Sequence, residues 1–224
     1  MTTARAASII LAKELRSEFR SRDILLTTVV FSLLVVVLFS FAFDPSTSES
    51  RRFGPGLLWI AFLFAGSLML HPSFGREHAN DTLYALRMAP IDPFAILLGK
   101  LLANFVFLLF SELLLLPVFS VLYNVDLLPV IGRLILVFIL GTLGISITGT
   151  VFSAVAAQAR MRELLLPLLL LPILTPVLIA AAEATVGLLD DPPQLARNWV
   201  ALLVAFDIVF MTASWLLCEY LLEE

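Results

Sequence analysis

Residues 25–43 read LLTTVVFSLLVVVLFSFAF, an unbroken apolar stretch without a charged side chain. A helix needs about 20 apolar residues to cross the hydrocarbon core of a bilayer, so this stretch is long enough to span one. Backbone polar groups in hydrocarbon must be satisfied internally, which leaves only helices and closed barrels as spanning structures. The stretch is continuous rather than alternating, as the strands of a barrel would be, and it therefore predicts a transmembrane helix.

The rest of the chain repeats this pattern. Of the 224 residues 60% are hydrophobic and 14% are charged, whereas a soluble domain carries about 25% charged residues. We predict an all-α membrane protein with six transmembrane helices, which forms one transmembrane domain over residues 1–224. The predicted spans are 25–43, 56–70, 94–122, 132–157, 164–189 and 199–222, and the second of them can begin before Phe53.

Several functional classes are disfavoured. A net charge of −4 argues against a polybasic nucleic-acid binder. The lone cysteine, Cys218, lies in the last predicted span and is expected to be an apolar filler. His71 and His78 have no ligand cluster near them, so no metal site is expected. The pair Gly99-Lys100 lacks the upstream glycine and following Ser or Thr of a phosphate-binding loop. No catalytic constellation is found, and an intramembrane enzyme is the weakest interpretation.

Lysine and arginine are distributed unevenly between the two sides of the predicted membrane. One side carries Arg5, Lys13, Arg16, Arg20, Arg22, Arg76, Arg87, Lys100, Arg160 and Arg162; the other carries Arg51, Arg52, Arg133 and Arg197. Because loops rich in Lys and Arg stay in the cytoplasm, the first side is predicted to be cytoplasmic. Both termini and the second loop then face the cytoplasm.

The N-terminal arm, residues 4–22, is predicted to be an interfacial helix. Leu11, Leu15 and Phe19 recur at helical spacing, flanked by Ile9 and Ala12, with Lys13, Arg16 and Arg20 on the polar side. Such a helix lies flat at the membrane surface with its basic residues near lipid phosphates. The alternative is an unstructured flank that only enforces orientation.

The second cytoplasmic loop, residues 73–90, predicts a short helix. Asp81 can cap a helix over 82–88, which Pro90 then stops. An exposed helix of this kind suits docking into a groove on a partner. The alternative is a loop packed on its own spans. The candidate docking residues are Glu77, Asp81, Leu83, Tyr84, Leu86 and Arg87.

Three carboxylates fall inside the predicted spans and are candidate intramembrane polar sites: Glu112, Glu183 and Asp207. A charged side chain at the bilayer centre costs about 2.5–3.5 kcal/mol, so each needs a partner or a wet cavity. Arg133 is a candidate partner for Glu183 near the outer face. Each carboxyl can equally be neutral and structural.

Helix-breaking and small residues also lie within the spans. The fifth span contains Pro167, Pro172 and Pro176, which can act as hinges or as static packing devices. The fourth span contains Gly141, Gly144 and Gly149, which allow close helix contact.

Taken in order, these motifs resemble a known family. The arm contains Glu14-Leu15-Arg16-Ser17-Glu18-Phe19-Arg20, and Gly56-Leu57-Leu58-Trp59 opens the second span. Leu83-x-x-Leu86 and Pro90 follow in the charged loop, with Lys100 beyond, and then Pro167, Pro172 and Pro176. The pattern resembles the haem exporter protein B (CcmB) family, the permease subunit of the cytochrome c maturation ABC transporter.

The resemblance implies a type 2 ABC exporter permease in a bacterial cytoplasmic membrane, with ATP hydrolysed by a separate ATPase subunit. It implies two permease copies per complex, further cytochrome c maturation membrane subunits and a haem chaperone. Haem is implied as a substrate, exported or delivered, or as cargo of a chaperone to be released. Residues 82–88 would correspond to the coupling helix that the ATPase grips, and 4–22 to the interfacial helix. The three intramembrane carboxylates match no family motif.

Two other functions are consistent with the same six spans. One is a type 2 permease for a lipid, drug or polysaccharide. The other is a membrane scaffold that assembles haem-handling partners without moving anything. Charge swaps in the second cytoplasmic loop distinguish a permease from a scaffold. A permease should lose its coupling to the ATPase while it remains inserted in the membrane, whereas a scaffold should tolerate the swap.

Overall fold

The structure is a computed structural model that describes residues 2–42, 48–70, 74, 91–156, 162–190 and 192–223; at 48–51, 162–165, 219 and 221–223 it describes the backbone alone. Within these ranges the chain forms seven α-helices and one 3₁₀ turn, with no strand. The helices are α1 (Thr3–Ser21), α2 (Asp23–Ala42), α3 (Ser48–Leu70), α4 (Pro93–Leu122), α5 (Ile131–Ala156), α6 (Arg162–Leu189) and α7 (Arg197–Glu223); the 3₁₀ turn is Leu128–Val130.

Six of these helices, α2 to α7, are long and apolar enough to cross a membrane. The predicted all-α fold with six spans is therefore confirmed. The second span starts earlier than Gly56, because α3 begins at Ser48 and continues through Pro55. The proline-rich fifth span is likewise one continuous helix. Prolines are tolerated inside such spans because neighbouring helices compensate for the lost backbone hydrogen bond.

Helix α5 occupies the centre of the bundle. It contacts α3, α4, α6 and α7, and residues 144–150 are buried without interruption around the whole helix. Small residues make this possible: a Cβ on Gly149 would lie 2.2 Å from Leu70 Cδ1 of α3. Helices in lipid associate through close packing of this kind, because burial of apolar surface provides no driving force for their association there.

An aromatic cluster fills the space between α3 and α5. Trp59 is fully buried, with its ring centroid 5.7 Å from Phe62 and 5.2 Å from Phe138. Its indole Nε1 donates a hydrogen bond of 3.1 Å to Thr185 Oγ1 of α6. Since a buried indole N–H needs an acceptor, this contact ties three spans together.

Candidate functional site at the α1 end of the bundle

Helix α1 packs across the beginning of α4, at the end of the bundle where α3, α5 and α7 terminate. Ala6, Ala7 and Ile10 are buried in this contact. A Cβ on Gly99 of α4 would lie 2.7 Å from Ile10 Cβ and 2.9 Å from the Ala7 carbonyl oxygen. Only glycine allows the two helices to come this close.

Lys100, next to that glycine, connects α1 with Phe74, a described residue that follows α3 in the sequence. Only 1% of its side chain is exposed, and its Nζ lies 3.1 Å from Glu14 Oε1. The same Nζ lies 4.9 Å from the centre of the Phe74 ring. A buried ammonium group requires such partners. The Gly-Lys pair that resembles an incomplete phosphate loop is thus the point where α1 docks.

Glu14 is held in its charged form by two lysines. Partial burial raises its pKa, but the attraction of Lys100 and then of Lys13 outweighs that effect, so the pKa lies below the usual value of 4.5. Lys13 Nζ lies 3.3 Å from the same Oε1 atom, and its side chain is 54% exposed whereas that of Glu14 is 24% exposed.

Glu18, one turn further along α1, binds the start of the first span. This side chain is buried, and its Oε1 accepts hydrogen bonds of 3.0 Å from the backbone N–H groups of Ile24 and Leu25. These N–H groups belong to the first turn of α2, where no partner exists within the helix. A carboxylate there also interacts favourably with the helix dipole.

The connection from α1 to α2 is a single residue in the left-handed conformation. Arg22 has φ 59° and ends α1, and its N–H donates a 2.7 Å hydrogen bond to the Glu18 carbonyl oxygen. Left-handed conformation costs an ordinary residue about 1–2 kcal/mol. The conformation of Arg22 and the hydrogen bonds from α2 to Glu18 together fix the angle between the two helices.

The first turn of α1 contacts the residue that caps α4. Asp92 Oδ1 accepts a 2.9 Å hydrogen bond from Phe94 N, and Asp92 Oδ2 accepts one of 3.1 Å from Thr3 Oγ1. Asp and Asn are favoured at this position because they satisfy an otherwise unpaired N–H group.

A small buried cluster closes the α1 end of the bundle; we call it the basal cluster. Its members come from α1, α4, α5 and α7, together with Phe74: Ile10, Phe74, Ile96, Leu97, Ala154 and Cys218. Cys218 is buried, and its Sγ donates a hydrogen bond of 3.0 Å to the Trp215 carbonyl oxygen. The predicted docking residues Glu77, Asp81, Leu83, Tyr84, Leu86 and Arg87 lie outside the described residues, between Phe74 and Ile91.

The buried face of α1 follows the predicted apolar stripe only in part: Leu11 and Leu15 are half-buried and pack against the hydrophobic core, whereas Ile9, Ala12 and Phe19 are exposed. Arg16 and Arg20 are exposed, and Phe19 is 58% exposed although its ring centroid lies 5.9 Å from that of Phe107. The most buried side chains are instead Ala6, Ala7, Ile10 and Glu18. Hydrophobicity alone does not reveal this face, because the charged Glu18 belongs to it and is buried against backbone N–H groups of α2.

The intramembrane carboxylates do not form one site. Glu112 is buried and accepts a hydrogen bond from Thr142 of α5. Asp207 is also buried, and its Oδ1 lies 3.0 Å from the position of a Cβ on Gly144. Thr142 and Gly144 are two residues apart, or about 200° around the helix, so the two carboxyls contact opposite faces of α5. Neither Asp207 oxygen has a hydrogen-bond partner among the described residues.

The predicted pairing of Glu183 with Arg133 is wrong. Both side chains are exposed, and they form no ion pair with each other in the described part of the chain. Glu183 is two residues from the buried Ala181 and Thr185, and therefore on the opposite face of α6. Across the described ranges no three His, Cys, Asp or Glu side chains converge on a metal site, and His71 and His78 fall outside those ranges.

These features define a multi-pass helical membrane protein with an amphipathic helix docked across one end of six spans. Residues 5–217 match the family described as CcmB protein. The chain is 31% identical over 202 residues to Heme exporter protein B of Pseudomonas aeruginosa, covering 90% of each chain. It is 29% identical over 204 residues to the protein of that name from Bradyrhizobium diazoefficiens, covering 91% of each. The chain therefore belongs to the CcmB family, and the predicted resemblance is confirmed.

Proposed function

We propose that this chain is the permease subunit of an ABC transporter that exports or delivers haem, or releases a haem-loaded chaperone, during c-type cytochrome assembly. The observation that carries the proposal is the family match over residues 5–217. Relatives named Heme exporter protein B align over nine-tenths of their length. The relatives' names do not favour a lipid, drug or polysaccharide as substrate.

A separate ATPase subunit supplies the energy in this proposal. The sequence has a single Gly-Lys pair, and its lysine is buried against Glu14 rather than open to a phosphate. This burial supports hydrolysis of ATP by a partner, with the chain itself acting as a transport subunit and not as an enzyme. Two permease copies, further maturation subunits in the membrane and a haem chaperone complete the proposed complex.

The ATPase binds the segment 73–90 in this proposal, through Glu77, Asp81, Leu83, Tyr84, Leu86 and Arg87. Support comes from the two ends of that segment. Phe74 lies in the basal cluster, and Asp92 is bonded to Thr3 of α1. Phe74 and Asp92 therefore both lie beside α1, whose exposed Arg16 and Arg20 suit a surface rich in lipid phosphates.

Co-purification tests both the function and the docking residues. The wild-type chain, extracted in mild detergent, should carry an ATPase subunit detectable by mass spectrometry and haem detectable by absorbance. Leu86→Asp should lose the ATPase while its amount in the membrane stays unchanged, and the volume-conserving Leu86→Met should behave like the wild type. Absence of both ATPase and haem from the wild type would overturn the function; an unchanged Leu86→Asp complex would overturn the docking site alone.

We further propose that the chain lies in the bacterial cytoplasmic membrane with both termini in the cytoplasm. The excess of Lys and Arg in α1 and the second loop supports this orientation. A cysteine introduced as Arg87→Cys, in a chain that also carries Cys218→Ser, should react with a membrane-impermeant maleimide only after the cytoplasmic side is opened. Labelling of intact cells would place the segment outside and contradict the orientation.

A further inference from the structure

The first half of α7 carries an open groove on the side that faces away from the bundle. The groove has a volume of about 480 Å³, and its lining follows the helix from Arg197 to Ile208. Ala201 and Ala205, one turn apart on the same side of the helix, belong to that lining and are exposed. Every other lining residue except Arg197 is apolar as well. The groove is therefore apolar along its length and positively charged at one end.

The length of the groove corresponds to one leaflet of a bilayer. Ile208 is 11 residues after Arg197, which is about 16 Å along a helix. The hydrocarbon core is about 30 Å thick, so the groove crosses about half of it. Thr212 and Trp215 continue the exposed side of α7 but are not part of the groove. A lipid acyl chain occupies one leaflet, whereas a partner's transmembrane helix would need a groove along the whole of α7.

The charged end of the groove suits a phosphate group. Arg197 is exposed and forms no ion pair within the described ranges, and no acidic side chain lines the groove. A guanidinium group binds phosphate oxygens through two parallel hydrogen bonds. Haem is a poorer match, because the lining contains no His, Cys, Met or Tyr that could ligate its iron.

We propose that this groove binds one anionic phospholipid, with the phosphate on Arg197 and an acyl chain along Ala201 and Ala205. A zwitterionic lipid would bring an ammonium or choline group to the same positive end, so the site prefers a lipid with net negative charge. The site does not depend on the proposed function. It requires only that α7 crosses a membrane, for which Arg197–Cys218 is long and apolar enough.

Lipid cross-linking tests the site. The full chain is reconstituted in phosphatidylcholine vesicles that contain a trace of phosphatidylglycerol or phosphatidylcholine with a photoactivatable acyl chain, and mass spectrometry locates the cross-links. Phosphatidylglycerol should label residues 200–208 more strongly than phosphatidylcholine does. One arginine near the membrane surface changes affinity for an anionic lipid about fivefold. Arg197→Gln should therefore lower labelling by phosphatidylglycerol about fivefold, to the level of phosphatidylcholine.

Arg133→Gln is the matched control for the charge. Arg133 is also exposed, and it lies outside the groove near the start of α5. Helices α5 and α7 both reach the basal cluster near their ends, and they meet where Gly144 lies beside Asp207. Arg133 and Arg197 precede that contact by 11 and 10 residues, so they lie at about the same depth. Arg133→Gln should leave the labelling of residues 200–208 unchanged.

A second pair of variants tests the groove without changing a charge. Ala205→Phe fills the groove and should lower labelling by phosphatidylglycerol, whereas Thr212→Phe, two turns further on the same exposed side, should not. Equal labelling of residues 200–208 by the two lipids in the wild type would indicate ordinary bilayer lipid and overturn the proposal. Unchanged labelling in Arg197→Gln would overturn it as well. Absence of labelling by either lipid would mean that another protein chain, such as a second copy, covers the groove, and would also overturn it.

Discussion

The indole ring of Trp59 lies directly against the backbone of Gly141. A Cβ atom on that glycine would be 2.3 Å from Cη2 of the ring. Gly141 is therefore required by a close approach between α3 and α5, in the middle of a helix where glycine would otherwise be unfavourable. The same ring donates to Thr185, so this contact also determines how α6 meets the pair.

Gly141→Ala should lower the melting temperature of the detergent-solubilised protein. The added methyl group forces Trp59 out of its position, and overpacking of this kind costs about 1–3 kcal/mol. Gly132→Ala is the matched control on the same helix, because nothing lies within 4 Å of a Cβ there. The control should leave the melting temperature unchanged or slightly higher, since alanine is the better helix former. Equal effects at both positions would contradict the packing argument.

Glu18→Ala should destabilise the junction of α1 and α2. The substitution leaves the N–H groups of Ile24 and Leu25 without their acceptor, and loss of a helix cap costs about 1 kcal/mol. Glu18→Gln keeps an acceptor oxygen and should cost less. Hydrogen exchange at the first turn of α2 measures the effect locally. Protection unchanged in Glu18→Ala would show that the cap does not stabilise this turn.

Attachment of α1 should weaken in acid through Glu14. Because its pKa in the folded state lies below 4.5, its contribution to stability is complete above that value. The contribution disappears as the pH falls through the lowered pKa. Thermal unfolding of the wild type and Glu14→Gln isolates this contribution when the pH is lowered stepwise from neutral until it is well below 4.5. The wild type should lose its advantage only at the acid end. A constant difference across the range would contradict the ion pair.

Asp207→Asn should not destabilise the protein. Among the described residues neither carboxylate oxygen has a hydrogen bond to lose, and a neutral amide is less costly in hydrocarbon than a charge. Thr142→Val is the contrasting change, because it removes the donor to Glu112 and should cost about 1 kcal/mol. Thermal unfolding in detergent compares the two. A lower melting temperature for Asp207→Asn would reveal a donor beyond the described residues and favour a functional site there.

The six spans could be predicted because each is a continuous apolar run, a property that needs no knowledge of neighbours. The role of Glu18, in contrast, could not be predicted from an apolar run. In the sequence it is one charge among several in a basic arm, and only the fold places it over the N–H groups of Ile24 and Leu25. Lys100 likewise reads as a charge at the edge of a span. Its partner Glu14 is 86 residues away, a separation at which sequence pattern carries no signal.

The surroundings of the carboxylates inside the spans could not be predicted either. The sequence indicates that a charge there is costly in lipid, but it does not indicate how each helix is rotated about its axis. Glu112 and Asp207 are buried while Glu183 is exposed, and the difference depends on which face each helix turns toward α5. Helix rotation is set by packing against neighbours, for example by Gly144 beside Asp207.

Helix α1 is fastened at two points on one face, by Glu14 to the third span and by Glu18 to the first. It is therefore prevented from rolling about its own long axis, whatever surrounds it. A helix held only by lipid would dissociate from the bundle when the bilayer is dissolved. Helix α1 is held by contacts with the protein itself and should keep its position in detergent micelles. Its basic side chains then face outward in a fixed direction, which orients the whole molecule with respect to a charged surface.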